Sequence, residues 1–307
     1  MSPDAPFMAA PLQGYTDAAW RQAHARIYGG VGCYYTPFAR VEKGCVRAKD
    51  VRETALTDSY TLVPQIIFRD ITEFDILVSA LAAAGHKRID LNLGCPFPPQ
   101  VHHGRGAGAL VRRDLMQKVA TRINELPDMK FSIKMRLGID SPGQWRESAD
   151  IIAAMPLTHV TIHPRIARQQ YSGELHTGEF AEAAAALPHP VVFNGDILTP
   201  ADIDRLLAMP HVEGVMAGRG LLARPSLAVE WLNGRQWTRD ERVSAILSLH
   251  AEVLEARAGR LCGDTQILSA MRPFWDYLEA EIGHKCAKAI RKAGNMAKYT
   301  SAVASIG

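Results

Sequence analysis

The chain has 307 residues, of which 47% are apolar and 22% charged, with a formal net charge of +3. That balance belongs to a globular protein with a large core and excludes a disordered chain, while so small a charge identifies no partner. Five cysteines (Cys33, Cys45, Cys95, Cys262 and Cys286) form no C-x-x-C pair, which argues against a metal site or thioredoxin-type chemistry and fits the cytoplasm. The N-terminus carries no basic-then-apolar leader, and no run approaches the roughly 18 apolar residues of a membrane span, so neither secretion nor membrane insertion is expected.

In chain order, short apolar or β-branched runs fall at Phe7–Ala10, Gly32–Thr36, Leu62–Phe68, Arg88–Gly94, Phe131–Leu137, His159–His163, Val191–Asn194 and Gly214–Gly218. Segments with helical spacing lie between most of them, among them Asp17–Tyr28, Thr72–Ala84, Asp114–Leu126, Gln144–Met155 and Pro200–Met209. Thr199, Pro200 and Asp202 read as an N-cap followed by proline in the first turn. The stretch from Pro37 to Thr61 is long and polar and is expected to be a loop with little regular structure. Strands alternating with helices predict an α/β fold, a (β/α)8 TIM barrel over residues 1–236. An open doubly wound sheet is the alternative arrangement of the same elements.

From Trp237 the strand-like runs stop. Val243, Ile246, Leu247, His250, Val253 and Leu254, then Ile267, Met271, Phe274, Trp275 and Leu278, keep helical spacing, so residues 237–307 are expected to form a small helical bundle. No acidic residue follows Glu281, whereas Lys285, Lys288, Arg291, Lys292 and Lys298 do. Spacing of three to four puts most of these on one helix face. That face is either a solvated surface or a stripe that contacts phosphates.

In a barrel of this kind chemistry sits at the C-terminal ends of the strands. Those ends carry Pro11-Leu12-Gln13-Gly14, Gln65, Asn92-Leu93-Gly94-Cys95-Pro96, Lys134 and Arg136, His163-Pro164-Arg165, Asn194-Gly195-Asp196 and Gly218-Arg219-Gly220. Gly195 and Gly218 after the last two strands, with Arg219 beside them, fit a phosphate site; the glycines also fit plain tight turns. Cys95 begins a segment containing His102, His103, Gly104, Arg105, Gly106 and Gly108, expected to close over a ligand. Its thiol, protonated at neutral pH, can serve as an acid, whereas the other four cysteines read as structural. Lys134 alternates with Phe131, Ile133 and Met135, so it faces the barrel interior and needs an anionic partner, either a ligand or Asp90. His163 is either a ligand contact or a satisfied core group.

These motifs together resemble the tRNA-dihydrouridine synthases. The likeness rests on Leu91-Asn92-Leu93-Gly94-Cys95-Pro96, Val101 and Gly106-Ala107-Gly108-Ala109-Leu110, and on the other strand ends in the same order, including Gln170-Tyr171-Ser172-Gly173. It runs from Ala9 to Pro225, and length and tail are closest to the bacterial C-type branch. The resemblance implies FMN as cofactor, NADPH as reductant, tRNA as partner, a monomer, and reduction of uridine to 5,6-dihydrouridine. Pro11, Leu12, Gln13, Gln65, Lys134, His163, Asn194, Gly195, Asp196, Gly218 and Arg219 fall at flavin-contacting positions. Cys95 falls at the general-acid position, protonating C5 of uracil while hydride reaches C6. Asn92, Arg136 and Tyr171 fall near the substrate nucleotide; Arg105 and the tail cations Lys285, Lys288, Arg291 and Lys292 are expected to grip RNA. Two departures lie near the mouth: Phe97-Pro98-Pro99-Gln100 replaces a segment that commonly carries lysine, and proline follows His163. Two other readings of the residues are an FMN barrel acting on a free pyrimidine, like dihydroorotate dehydrogenase, and a barrel that binds RNA without catalysis.

Overall fold

The structure is a computed structural model and describes residues 6–306. Eight parallel strands form a closed ring: β1 Phe7–Ala9, β2 Cys33–Tyr35, β3 in two pieces (Leu62–Val63 and Gln65–Ile66), β4 Arg88–Leu93, β5 Lys130–Gly138, β6 Leu157–Ile166, β7 Val191–Asn194 and β8 Val212–Ala217. The split in β3 falls at Pro64, which has no N–H to give a ladder. Its first piece pairs with β2 and its second with β4, while the Pro64 carbonyl accepts from the Asp90 N–H at 2.9 Å. β1 pairs with β8, so the ring is a (β/α)8 barrel rather than an open sheet.

Alternation decides what each face carries. On β5, Phe131, Ile133, Met135 and Leu137 pack under the surrounding helices. Ser132, Lys134 and Arg136 take the opposite face, where Lys134 and Arg136 reach a cavity. Deeper in the barrel Met8, Ala10, Cys33, Tyr35, Val63, Val192 and Met216 form a small second core. Helix starts follow local chemistry. Thr199 and Asp202 cap Pro200–Leu207 reciprocally, as their spacing predicts, and Asp70 caps Ile71–Ala83 through the Glu73 N–H.

Two expectations are corrected and a third gains detail. The segment from Pro37 to Thr61 is structured: Val41–Glu42 pairs with Cys45–Val46 around a Lys43-Gly44 turn, and Ala48–Glu53 is helical. Asp50 organises it by accepting from Arg47 and from the Arg40 N–H. The segment expected as one helix over Gln144–Met155 is a 3-10 turn, Gln144–Glu147, followed by Ala149–Ala153. It breaks at buried Ser148, whose hydroxyl donates to the Leu110 carbonyl at 2.6 Å. The glycine-containing segment after Cys95, expected to close over a ligand, is itself folded, and Cys95, Pro96 and Phe97 at its start line the cavity. Two short helices, Pro98–His102 and Ala107–Leu110, occupy it, and Gly106 through Leu110 are buried.

Beyond Gly234 the chain is helical. Thr238 caps the long helix Arg239–Ala258 in a box with Glu241. This helix lays Val243, Ile246, Leu249 and Val253 into the core and binds the barrel helix Ala18–Ile27 through Arg257–Asp17 and Arg26–Glu252. Shorter helices follow at Asp264–Met271, Glu279–Ile282, His284–Lys292 and Met296–Ala304. Trp275 Nε1 donates to the Tyr299 hydroxyl, which also meets His250 Nε2, at the centre of the bundle. Among the described residues no helix is long and apolar enough to cross a membrane, and no His, Cys, Asp and Glu cluster could hold a metal ion.

Candidate active site

A cavity of about 760 Å3 opens at the C-terminal ends of the barrel strands. The β1 turn supplies Pro11, Leu12 and Gln13 to its wall, the β4 end Asn92 and Cys95, β5 Lys134 and Arg136, and β6 His163. Tyr171, Asn194, Gly195, Asp196, Gly218 and Arg219 complete the side formed by the last three βα loops. Tyr277 from the helical tail also lines the cavity; its ring meets Tyr15 edge-on at 5.3 Å, and the Tyr15 hydroxyl donates to Asp276.

Four cations gather around this space. Lys134 is half-buried and donates to Asn194 Oδ1 at 2.6 Å. Asn194 is held in turn by its Nδ2 donating to the Met216 carbonyl. No carboxylate pairs with Lys134 among the described residues, so Asp90 is not the ion-pair partner the sequence left open. Burial, reinforced by Arg136, pulls the Lys134 amine down to about 8. Arg136 donates to the Gly94 and Ile166 carbonyls at 3.1 Å each. Arg165 and Arg219 share one carboxylate, Asp196, at 2.5 and 2.8 Å. Asp196 holds a left-handed φ of 45°, a conformation its two arginine partners stabilise. The lining carries Lys134, Arg136 and Arg219 against Asp196, with Arg165 behind Asp196 and the Asp90 carboxyl deeper in the barrel, so the wall itself is net cationic and favours an anionic ligand.

Two groups near these cations stay neutral. Arg165 Nη1 donates to His163 Nε2 at 3.2 Å, so the ring's own proton sits on Nδ1. Burial, then the surrounding cations, hold His163 well below its ordinary range. Burial also raises the Cys95 thiol above its ordinary value. The thiol therefore keeps its proton at neutral pH. Gly106 makes the close approach beneath it possible: at φ 58° a Cβ there would lie 2.7 Å from the Cys95 Cβ.

Tyr171, half exposed, lies between two guanidinium groups, Arg136 at 5.5 Å and Arg219 at 4.9 Å from its ring centre. Phe97 and Leu198 add exposed apolar surface to the same mouth. A flat aromatic rim over a cationic wall suits a planar polar ring attached to phosphate.

The model of the dihydrouridine synthase family matches residues 8–301. The chain belongs to that family. Its relatives include the tRNA-dihydrouridine(16) synthase of Cupriavidus necator, 30% identical over 72% of this chain and 71% of the relative. The Pseudomonas putida protein of the same name is 27% identical over 91% of this chain and 83% of its own length. A probable tRNA-dihydrouridine synthase of Rhodobacter capsulatus is 32% identical over 72% and 69%. Among solved structures, morphinone reductase superposes with a TM-score of 0.53 at 11% identity, over 76% of this chain and 86% of that one, which speaks for the barrel fold alone.

Most residues singled out by the family motifs converge on the cavity, and the exceptions have physical reasons. Gln65 does not line it; it is fully buried beneath Asn92, between that residue and Asp90. Arg105, expected to grip RNA, lies outside the cavity lining and already has a partner. Its guanidinium forms a two-pronged pair with Glu73, a buried carboxylate on Ile71–Ala83, and so bolts the loop down. His102 and His103 do remain exposed. In the tail, Lys285, Lys288 and Lys292 are exposed on His284–Lys292, but Arg291 pairs with Glu279 at 2.9 Å, alongside His284. Of the four remaining cysteines only Cys33 is buried; Cys45 and Cys262 are exposed. Arg165 was visible at the β6 end, yet nothing in the sequence told of its bond to Asp196. Tyr277 carried no signal, because only the packing of the tail brings it to the barrel mouth.

Proposed function

We propose that this protein reduces a uridine of tRNA to 5,6-dihydrouridine, using FMN in the barrel mouth, NADPH as the reductant and Cys95 as the proton donor. The observation that carries the reading is the Cys95 thiol and a half-buried lysine, Lys134, with no ion-paired carboxylate among the described residues, in the wall of one cavity, in a chain of this family. The names of the relatives favour tRNA, and those of C. necator and P. putida favour uridine 16.

The residues fit the cofactor. Lys134 is a half-buried cation with no carboxylate at ion-pair distance among the described residues, and Asn194 fixes its ammonium. Arg219, with the backbone of Gly195, Asp196 and Gly218, suits a phosphate, and bulk is excluded there: a Cβ on Gly195 would press on the His163 ring and Leu175 at 3.2 Å. Pro11, Leu12 and Gln13 supply the remaining wall. When bound, a reduced flavin supplies the hydride that uracil takes at C6. Cys95 Sγ gives its proton to C5, and the resulting thiolate regains a proton from solvent. Arg136 and Tyr171 orient the nucleotide, with Asn92 beside it. A base within folded RNA must leave its stack to reach this depth. Residues 237–307 form the RNA-binding part, with Lys285, Lys288 and Lys292 facing the backbone and Arg291 contributing less. The chain acts as a monomer in the cytoplasm.

The test is turnover by the FMN-loaded enzyme with NADPH on in vitro transcribed tRNA, followed by mass spectrometry. Wild type should form dihydrouridine, and Cys95→Ala should keep its yellow colour while losing nearly all turnover. Turnover of free pyrimidines with none on tRNA would favour the dihydroorotate dehydrogenase-like reading; a colourless protein that only binds RNA would overturn catalysis altogether.

A further inference from the structure

The barrel interior carries a line of hydrogen bonds that begins at a fully buried carboxylate and ends at the backbone of the thiol loop. Asp90 on β4 accepts from Ser132 Oγ at its Oδ1 (2.6 Å) and from Gln65 Nε2 at its Oδ2 (2.7 Å). Gln65 Oε1 then accepts from Asn92 Nδ2 (2.7 Å). Asn92 Oδ1 accepts the N–H of Cys95 (2.8 Å) and that of Gly94 (3.1 Å). Strand register builds the line: Gln65 lies opposite Asp90 between β3 and β4, and Asp90 lies opposite Ser132 between β4 and β5.

Both ends of the line have fixed polarity. A carboxylate only accepts, and the two backbone N–H groups only donate. Between them stand two amides, Gln65 and Asn92, and one orientation of each satisfies both ends. We infer that Asp90 is a positioning residue: its negative charge sets the direction of the Gln65–Asn92 line, which holds the Gly94 and Cys95 N–H groups and thereby fixes the place of the Cys95 thiol. Burial raises the Asp90 carboxyl to about 6, against the bonds from Ser132 and Gln65 and the nearby Lys134 cation; both of its oxygens accept hydrogen bonds, as a carboxylate's do. An amide at position 90 could turn either its oxygen or its NH2 toward Gln65. In the second case both following amides turn over, and Asn92 meets two N–H groups with its own NH2. Buried donors facing donors are not tolerated, and the loop must move.

The inference rests on Cys95 as the proton donor, and three variants of the FMN-loaded enzyme separate the two claims. Asp90→Asn keeps the volume and removes the fixed polarity. Gln65→Leu cuts the line at a second place. Ser132→Ala removes a bond to Asp90 without reversing anything. Two readouts are taken: alkylation of Cys95 by iodoacetamide as a function of pH, followed on its own peptide, and kcat and KM with in vitro transcribed tRNA. Q65L, which leaves the Asn92 NH2 without its acceptor, should alter the Cys95 alkylation profile, and its kcat should fall on the order of 10- to 100-fold, as small misplacements of reacting groups do, with KM for tRNA nearly unchanged; D90N, which can also take the reversed orientation, should change both readouts in the same direction and by less. S132A should keep the wild-type Cys95 profile. A wild-type profile and kcat in D90N would overturn the inference, as would an S132A enzyme that behaves like D90N. Should D90N not fold, Q65L decides by the same criteria. If Cys95→Ala still turns over, the donor assignment fails; if it is inactive while D90N behaves as wild type, only the role of Asp90 fails.

Discussion

At the scale of single residues, the site is governed by what burial does to charge. Cys95 and His163 are kept uncharged by desolvation, while Lys134 stays at the edge of ionisation near 8. The sign for Lys134 follows directly. A bound anion favours the ammonium form, so flavin binding takes up a proton at pH values above about 8. FMN affinity, read by fluorescence quenching, is therefore expected to weaken as pH rises through that value. Lys134→Gln should bind FMN more weakly and flatten this dependence; equal slopes in both proteins would show that Lys134 carries none of the anion's charge. Much of this was legible in the sequence, because alternation along β5 separates Lys134 and Arg136 from their apolar neighbours. The fate of each polar group was less legible. Gln65 and Asp90 could be placed on neighbouring strands, but which groups they bond depends on register, which short strand runs do not specify.

At the scale of elements, the loop after Cys95 shows that a glycine-rich segment can be a closely packed one. Glycine there allows close packing: Gly106 under Cys95, and Gly108 against Val101, whose carbonyl would lie 2.5 Å from an added Cβ. Arg105, 32 residues from Glu73 in sequence, pins the segment to Ile71–Ala83. No local pattern announces such a partner, so an arginine in a glycine-rich loop read as an RNA contact. Both side chains of that pair are nearly inaccessible to water. Glu73→Ala should cost about 3 kcal/mol, the scale of a broken buried pair. Denaturant unfolding checks this. Arg105→Ala should then weaken tRNA binding only through loss of loop order, whereas a purely salt-dependent loss with unchanged stability would restore its role as a phosphate contact.

At the scale of the whole molecule, a barrel and a helical tail meet beside the cavity. Arg257–Asp17 and Arg26–Glu252 join them, and Tyr15 with Tyr277 carries the junction to the cavity rim. The barrel was readable from eight short runs and their polar ends. The tail was readable only as helical, since its heptad-like spacing says nothing about which barrel face it covers. Its exposed lysines should act additively. Neutralising Lys285, Lys288 and Lys292 together is expected to lower the salt slope of tRNA binding by roughly 0.7–0.9 for each phosphate that is no longer neutralised. Neutralising Arg291 should add little, because Glu279 already holds it. Binding measured at several salt concentrations gives both slopes.

The most direct measurement is nucleotide-resolution mapping of dihydrouridine in tRNA from cells that have the gene, cells that lack it, and cells that carry only the Cys95→Ala form. Dihydrouridine should vanish from one position when the gene is lost, return with the wild-type gene, and stay absent with Cys95→Ala. Unchanged dihydrouridine at every position after loss of the gene, or full restoration by the alanine form, would contradict the account.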